Sequence, residues 1–353
     1  MELAFVIEKF VLVIVIFSVS LGVAAYSTLA ERKIAAFLQG RVGPARAGWG
    51  GMFQPLADGA KMFFKEEIIP TESNHFLFIA GPSLALLTAL IGSAVIPWGQ
   101  PITIGNSVID LHVADINVGV LYIFGVVSLG VYGVMIGGWA SNNKFSLMGA
   151  VRAASQNISY EIAMGLSIIA LLMVTQTLSL KDIAEQQAGF WSDGWFSWMV
   201  FKQPLGFVIF IICAFAECNR TPFDLPESEN ELVGGYHTEY SGFKLGAYLF
   251  SEYINMFVSG AVMATLYFGG YNYPGMEYVN DLIGPLFGPL VGVVALLLKI
   301  FFFIFFFMWV RWTVPRFRYD QLMNLGWKVL IPLGIANIVI TGIWILVKET
   351  YFK

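Results

Sequence analysis

Charge is what this sequence has least of. Of 353 residues, 12% are Asp, Glu, Lys or Arg and 57% are apolar, and the mean hydropathy is +0.71. A water-soluble domain carries roughly twice that charged share, so a soluble enzyme and a secreted disulfide scaffold are excluded. Basic runs are missing and the net charge is −4, which excludes nucleic-acid binding driven by phosphate neutralisation. Cysteine is scarce. Cys213 and Cys218 are five residues apart, a spacing that does not share a helix face. They read as packed apolar thiols, because an iron–sulfur cluster needs about four thiolates. His75, His112 and His237 fall in or near three different loops, with no in-span pair for a haem. No electron cofactor is expected on this chain, and a redox role would consist of holding a substrate. Gly40–Gly43 and Gly48–Gly51 lack the GK[ST] ending and the preceding strand of a phosphate loop, so they read as a tight turn.

What is present in quantity is apolar run. A helix needs about 20 residues to cross about 30 Å of hydrocarbon. Eight stretches qualify, at about 6–28, 76–97, 117–139, 157–176, 204–219, 243–268, 285–311 and 329–348, the fifth being short. The fold class expected is an all-α polytopic membrane protein, one membrane domain over 1–353. The first run lacks the basic region and cleavage site of a signal peptide. The Phe301–Phe307 run reads as lipid-facing or packing bulk. Loops 29–75, 140–156, 220–242 and 312–328, with Lys244 and Arg311 at the span ends that border them, hold fourteen of the twenty Lys and Arg residues, which places those loops in the cytoplasm and both termini outside.

Four charges fall at span depth: Glu161, Glu217, Glu252 and Lys299. Each costs about 2.5–3.5 kcal/mol at the bilayer centre and is tolerated at a pathway or in a pair. Glu252 with Lys299 is one such pair, and a transport route is the other reading. The loop after the fifth span runs from Glu217 to Glu231 through Arg220, Phe223, Asp224, Glu227 and Glu229. Its many acids and single base suit either a solvated loop or a proton relay whose members raise one another's pKa. Phe223, Leu225 and two prolines favour packing over free solvation. Gln54 to Ile68 has an apolar and a polar face, as an interfacial helix does, and Asp58 and Lys61 are spaced to pair.

Four blocks carry a resemblance: ERKIAAFLQGRVGP…QPLADGAKMFFKE (31–66), RAASQNISYE (152–161), AECNRTPFDLPESENELVGGYHTEY (216–240) and PRFRYDQLMNLGWK (315–328). In that order they resemble the H-subunit family of bacterial NADH-quinone oxidoreductase, counterpart of mitochondrial NADH dehydrogenase subunit 1 in respiratory complex I. Asn230 stands where the family usually has Ser or Ala, and the resemblance leaves the outer loop 177–203 unexplained. The resemblance implies a membrane subunit of a proton-pumping, translocase-class enzyme in a bacterial inner membrane. It would form a quinone tunnel at the junction with the peripheral arm and begin the acidic route to the pumping subunits. The quinone is substrate. NADH, FMN and iron–sulfur clusters are expected on partner subunits, and none on this chain. Expected partners are the peripheral-arm quinone-site and terminal-cluster subunits, small membrane subunits, antiporter-like subunits and membrane lipid.

Carried over by position, Arg32, Arg41, Asp58, Lys61, Phe223, Asp224, Arg316 and Arg318 resemble tunnel residues. Glu161, Glu217, Glu227, Glu229, Glu231, Glu252 and Lys299 resemble the proton-coupling network. The head-group ligands, a tyrosine and a histidine, belong in the family to a peripheral subunit. Rival readings are the membrane subunit of a related hydrogenase or formate-oxidising complex, a stand-alone transporter and a structural anchor. The complete blocks at 31–66 and 315–328 favour the quinone enzyme over the first. The transporter reading leaves the long charged loops unaccounted for, and an anchor needs no acids at depth.

Overall fold

The computed structural model describes residues 2–104, 107–189, 191–192, 195–284 and 287–351. Among these residues, seven helical runs are long and apolar enough to cross a membrane, and an eighth apolar helix is shorter. In chain order, α1 (Glu2–Leu38) leads to α2 (Gln54–Phe64), α3 (His75–Ile91), α4 (Gly119–Ala140) and α5 (Lys144–Thr175). A short β-hairpin, β1 (Ile102–Ile104) with β2 (Ser107–Ile109), joins α3 to α4. The loop after α5 carries α6 (Leu180–Glu185), the β3 (Trp191–Ser192) and β4 (Trp195–Phe196) hairpin and α7 (Met199–Lys202). Then come α8 (Pro204–Glu217), α9 (Glu229–Leu232), α10 (Gly242–Tyr267), α11 (Met276–Ile283) and α12 (Gly288–Thr313). The last span runs from α13 (Tyr319–Asn324) through a π-helical turn, Leu325–Leu330, into α14 (Ile331–Tyr351).

α1 and α5 outrun their apolar stretches, and α8 is too short for a full span; α5 starts at Lys144, so most of the expected loop 140–156 is helix. α1 continues ten residues past the run that ends near 28, because Glu31 and Arg32 find partners and Ala35 and Ala36 favour helix. Its end is marked by Gly40, whose φ of +65° suits glycine. α8 has 14 residues, or about 21 Å of rise, well short of a bilayer core. The polar group at its start compensates. Gln203 bonds Thr341 Oγ1 at 2.9 Å and accepts from Asn337 at 3.3 Å, tying α8 to α14.

α10 is the centre of the bundle: 72% of its most apolar window is buried, against 22% for α1, α4 and the α13–α14 run. Its small residues, Gly246, Ala247, Ser251, Gly260, Ala261 and Ala264, let neighbours approach, as membrane helix interfaces require. α3 and α4 approach even more closely. A Cβ at Gly133 would lie 2.8 Å from the Ala85 backbone nitrogen. The phenylalanine run on α12 divides as helical spacing dictates, with Phe303 and Phe307 buried and Phe301, Phe302 and Phe305 exposed.

The loop 177–203 is pinned to the C-terminal end of α10. The buried Gln187 side chain donates to Ile183 O, Thr265 O and Leu266 O and accepts from Met199 N and Gly269 N. Beside it, Lys299 Nζ donates to Phe268 O, Gly270 O and Asn272 O at 2.7, 2.7 and 2.6 Å and lies over the Trp198 ring. These carbonyls belong to Phe268, the C-cap residue of α10, and to the turn that follows it, so Lys299 closes that turn. The pairing of Lys299 with Glu252, one of the two readings of these charges, is not formed, because the turn claims the cation.

The interfacial helix α2 stops at Phe64, short of Ile68. Lys65 turns extended, and the chain beyond it is held by Ile68 N bonding Ser241 Oγ at 3.0 Å and by Lys244 pairing Glu67 at 2.5 Å.

Candidate functional site

Glu31 and Arg32 are adjacent on α1, and the helical step of about 100° sends them to different neighbours. Arg32 reaches α2, pairing Asp58 at 2.7 Å, and Gln54 donates to the same carboxylate at 3.0 Å. Asp58 therefore pairs across helices and not with Lys61. Glu31 turns inward and is buried. It pairs Arg311 of α12 at 2.5 Å and Arg220 at 3.3 Å, and accepts from the Tyr253 hydroxyl of α10 at 2.7 Å. A buried carboxylate with three donors is the arrangement that makes its burial tolerable.

Arg220 is the hinge of the cluster. Its guanidinium lies 4.3 Å from the Tyr253 ring centroid and reaches Glu252 of α10 at 3.8 Å. Burial opposes its charge, but Tyr253, Glu31, Glu252 and Glu227 outweigh that and raise its proton affinity above the ordinary arginine value. Glu252 accepts from the Tyr236 hydroxyl at 3.1 Å. Burial first, and then Glu252 and Glu227, push the Tyr236 phenol well above its ordinary range. The loop's own base is thus shared with acids from α1 and α10, and its acids take cations from elsewhere. Glu231 pairs Arg152 of α5 at 2.5 Å, and Asp224 pairs Arg316 at 2.9 Å. The sequence expectation of five acids massed around one base gives way to this dispersal. The Glu229 side chain lies outside the described residues.

These groups enclose a cavity of about 250 Å³ between α1, α2, α10 and α12. Ala25, Met62, Leu249, Phe250 and Trp312 supply apolar wall, and Arg32, Asp58, Glu31, Arg220, Glu227, Glu252 and Arg311 supply the polar wall. Next to it, Phe223 is wedged between Tyr160 and Phe317, at centroid distances of 5.2 and 5.4 Å. Phe317 N bonds Pro222 O at 3.1 Å, which ties the loop after α12 to the loop after α8. Asp224 is 2% exposed. Burial, then Glu227, push its carboxyl up to about 7 despite Arg316, Arg311 and Arg220.

A second, smaller cavity of about 40 Å³ holds Glu217 with Asn255, Ser259 and Cys218 among apolar side chains of α4, α5, α8 and α10. That volume accommodates a water or two. Glu161 of α5 accepts from the Ser128 hydroxyl of α4 and lies within electrostatic reach of Glu217. Both cysteines are buried free thiols.

Of the residues singled out in the sequence, Arg32, Asp58, Glu227 and Glu252 meet on the large cavity, Glu217 lines the small one with Glu161 within electrostatic reach, and Phe223, Asp224 and Arg316 adjoin the first. Arg41 is exposed, bonded to Gln39 at 2.7 Å, and Arg318 is exposed, paired with Asp320 at 2.8 Å. Lys61 is exposed on α2, and Lys299 sits at the turn that follows α10. Sequence reasoning missed Glu31, Arg311 and Tyr253. A charge closing an apolar run, as Glu31 does on α1 and Arg311 on α12, is the signal that points to them, but it reads equally well as a marker of topology.

A sequence model of the family described as NADH dehydrogenase matches residues 10–342. The NADH-quinone oxidoreductase H subunit of Flavobacterium johnsoniae is 64% identical over 346 residues, covering 98% of this chain and 97% of that protein. The corresponding H subunit of Flavobacterium psychrophilum is 62% identical over 346 residues, covering 98% and 99%. The second of the numbered H subunits of Geobacter metallireducens is 48% identical over 354 residues, covering 97% of each.

Proposed function

Because the chain belongs to the NADH dehydrogenase family, among the H subunits of the multi-subunit NADH-quinone oxidoreductase, we propose that its large cavity is the quinone chamber of that complex. The buried carboxyls beside the chamber then form the start of its proton-coupling route. NADH, FMN and the iron–sulfur clusters are assigned to partner subunits, and the quinone is the substrate.

One observation carries this reading. The cavity joins an apolar wall, fit for an isoprenoid tail, to a dense set of charges, fit for a head group that gains electrons. Reduction of a quinone to a quinol takes two electrons and two protons. Electrons arriving from a partner subunit leave negative charge in a partly dry space, where charge is felt strongly. Arg32, Arg220 and Arg311 line that space and stabilise the charge. Each of them is already shared with a carboxylate, so a new anion competes with Glu31, Glu252 and Asp58 for its cations. The carboxyls then titrate as a coupled set. Glu217 and Glu161, reached along the short segment from Arg220 back into α8, pass the change onward.

The test is Asp58→Asn, which removes the Arg32 partner from the chamber wall while keeping its shape. We expect quinone reduction by the purified complex to fall several-fold with a raised KM. NADH oxidation with a water-soluble artificial acceptor should stay unchanged. Unaltered quinone kinetics in that variant would remove the cavity from the reaction.

A further inference from the structure

We propose that His237 is the proton inlet of the buried carboxyl cluster, taking protons from solvent on the charged-loop side and passing them to Glu227. The proposal rests on the preceding assignment of Glu227 and Glu252 to the coupling route and adds to it the residue that feeds them.

The geometry is specific. His237 Nδ1 stands 3.9 Å from Glu227 Oε1, and the two side chains are 21% and 17% exposed. Those two atoms are themselves shielded from solvent, and neither has a hydrogen-bond partner among the described residues. Two complementary buried polar atoms left open to each other are costly unless they exchange something or share a water. At 3.9 Å they are too far apart for a hydrogen bond, so a small ring rotation or one water closes the gap. The exposed part of the ring gives it access to solvent, and an imidazole with one face in water and one in the protein is the side chain best suited to relaying protons near neutral pH.

The ring also has an aromatic neighbour. It packs edge-on against Tyr236 at a centroid distance of 5.1 Å and an interplanar angle of 86°. Tyr236 in turn donates to Glu252 Oε1. His237 therefore faces Glu227 from the loop after α8 and Tyr236 from its own turn. Glu252 of α10 stands behind Tyr236, and Asp224 and Arg220 stand behind Glu227. The other histidines serve elsewhere. His75 is exposed at the start of α3, and His112 lies with Asp115 and Lys181 near the loop after the β1–β2 hairpin.

In the transfer step the imidazolium gives its Nδ1 proton to the Glu227 carboxylate. The N–H bond breaks as the O–H bond forms, and the neutral ring keeps its Nε2 proton. A ring flip then exposes the bare nitrogen, and hydronium or a buffer acid restores the imidazolium. No electrons move.

The test uses the whole complex in liposomes, with His237→Asn and His237→Ala. Asn keeps a hydrogen-bond donor near the Nδ1 position but cannot relay a proton. Both variants should oxidise NADH normally with a water-soluble acceptor. Their quinone reduction should be about tenfold lower, and the deficit should widen as pH rises and solvent protons become scarce. Millimolar imidazole should restore His237→Ala. A wild-type rate and pH profile in His237→Asn overturns the proposal, because a fixed donor is then enough. Failure of imidazole to rescue an assembled His237→Ala overturns it as well. Glu227→Gln separates the levels. If it is impaired while both His237 variants are normal, only the inlet is wrong. If all three are normal, the coupling reading fails too.

Discussion

Asp224 shows how much a single side chain depends on its surroundings. Its ordinary value is 3.8, and burial followed by Glu227 lifts it to about 7, with Arg316 pulling the other way. A carboxyl that holds its proton more tightly in the folded chain adds stability below pH 3.8 and loses that contribution as pH rises through about 7. The solubilised complex should therefore lose thermal stability between about pH 5 and about pH 8. Asp224→Asn should flatten that loss, read as the shift in Tm across the two pH values. An identical slope in the variant would show that Asp224 does not titrate in this window. At this scale the sequence showed which residue types mattered but not which of them met. The acids of 217–231 were legible as unusual. Their partners Arg152 and Arg316, and Glu31 as the partner of Arg220, come from distant positions, and sequence spacing along one loop carries no information about them.

Among the elements, α10 gathers the most consequences. It presents Glu252 and Tyr253 to the cavity near its middle, and the turn that follows its C-terminus meets Lys299. Lys299→Met should leave three buried carbonyls without donors. The expected loss is about 2 kcal/mol, since each such bond inside a membrane is worth about 0.6–2 kcal/mol. It would appear as lower complex yield and an earlier thermal midpoint, with proton-to-electron stoichiometry unchanged in what assembles. A changed stoichiometry would support Lys299 as a member of the coupling network. The long apolar helices were plain in the sequence because lipid demands about 20 apolar residues in a row. α8 was visible only as a short run, since part of its depth comes from Gln203 and α14. The π-helical turn at Leu325–Leu330 left no sequence signal at all. It is set by where Trp327 Nε1 meets Ser159 Oγ at 3.1 Å and where Tyr160 meets Leu322 O at 2.9 Å.

Across the whole molecule, two cavities share one connecting segment, Glu217–Arg220, and the charge pattern changes from one to the next. The large cavity balances its acids with arginines, and the small one holds Glu217 near Glu161 with hydroxyl and amide neighbours. Glu217→Gln and Glu161→Gln keep shape and remove charge. Each should slow quinone reduction or lower the protons moved per NADH, with subunit content normal by gel and mass spectrometry. Wild-type pumping in both would end the relay idea. The architecture as a bundle was legible from composition alone. The position of the cavity was not, because it is made by α2 folding back under α1 and α10, and only the packed structure brings those three together.

The clasp of Gln187, Asn272 and Lys299 at the C-terminal end of α10 has a mechanical side. Asn272 reaches Ala184 O at 2.6 Å, so α6, α7, α10 and α12 are locked there in one rigid knot. A packed knot of this kind moves as a unit or not at all. α10 is then a lever with its fulcrum at this knot, and any swing it makes grows with distance from that pivot. The travel is larger at Glu252 and Tyr253, near the middle of α10, than at the knot, and is largest at Gly242.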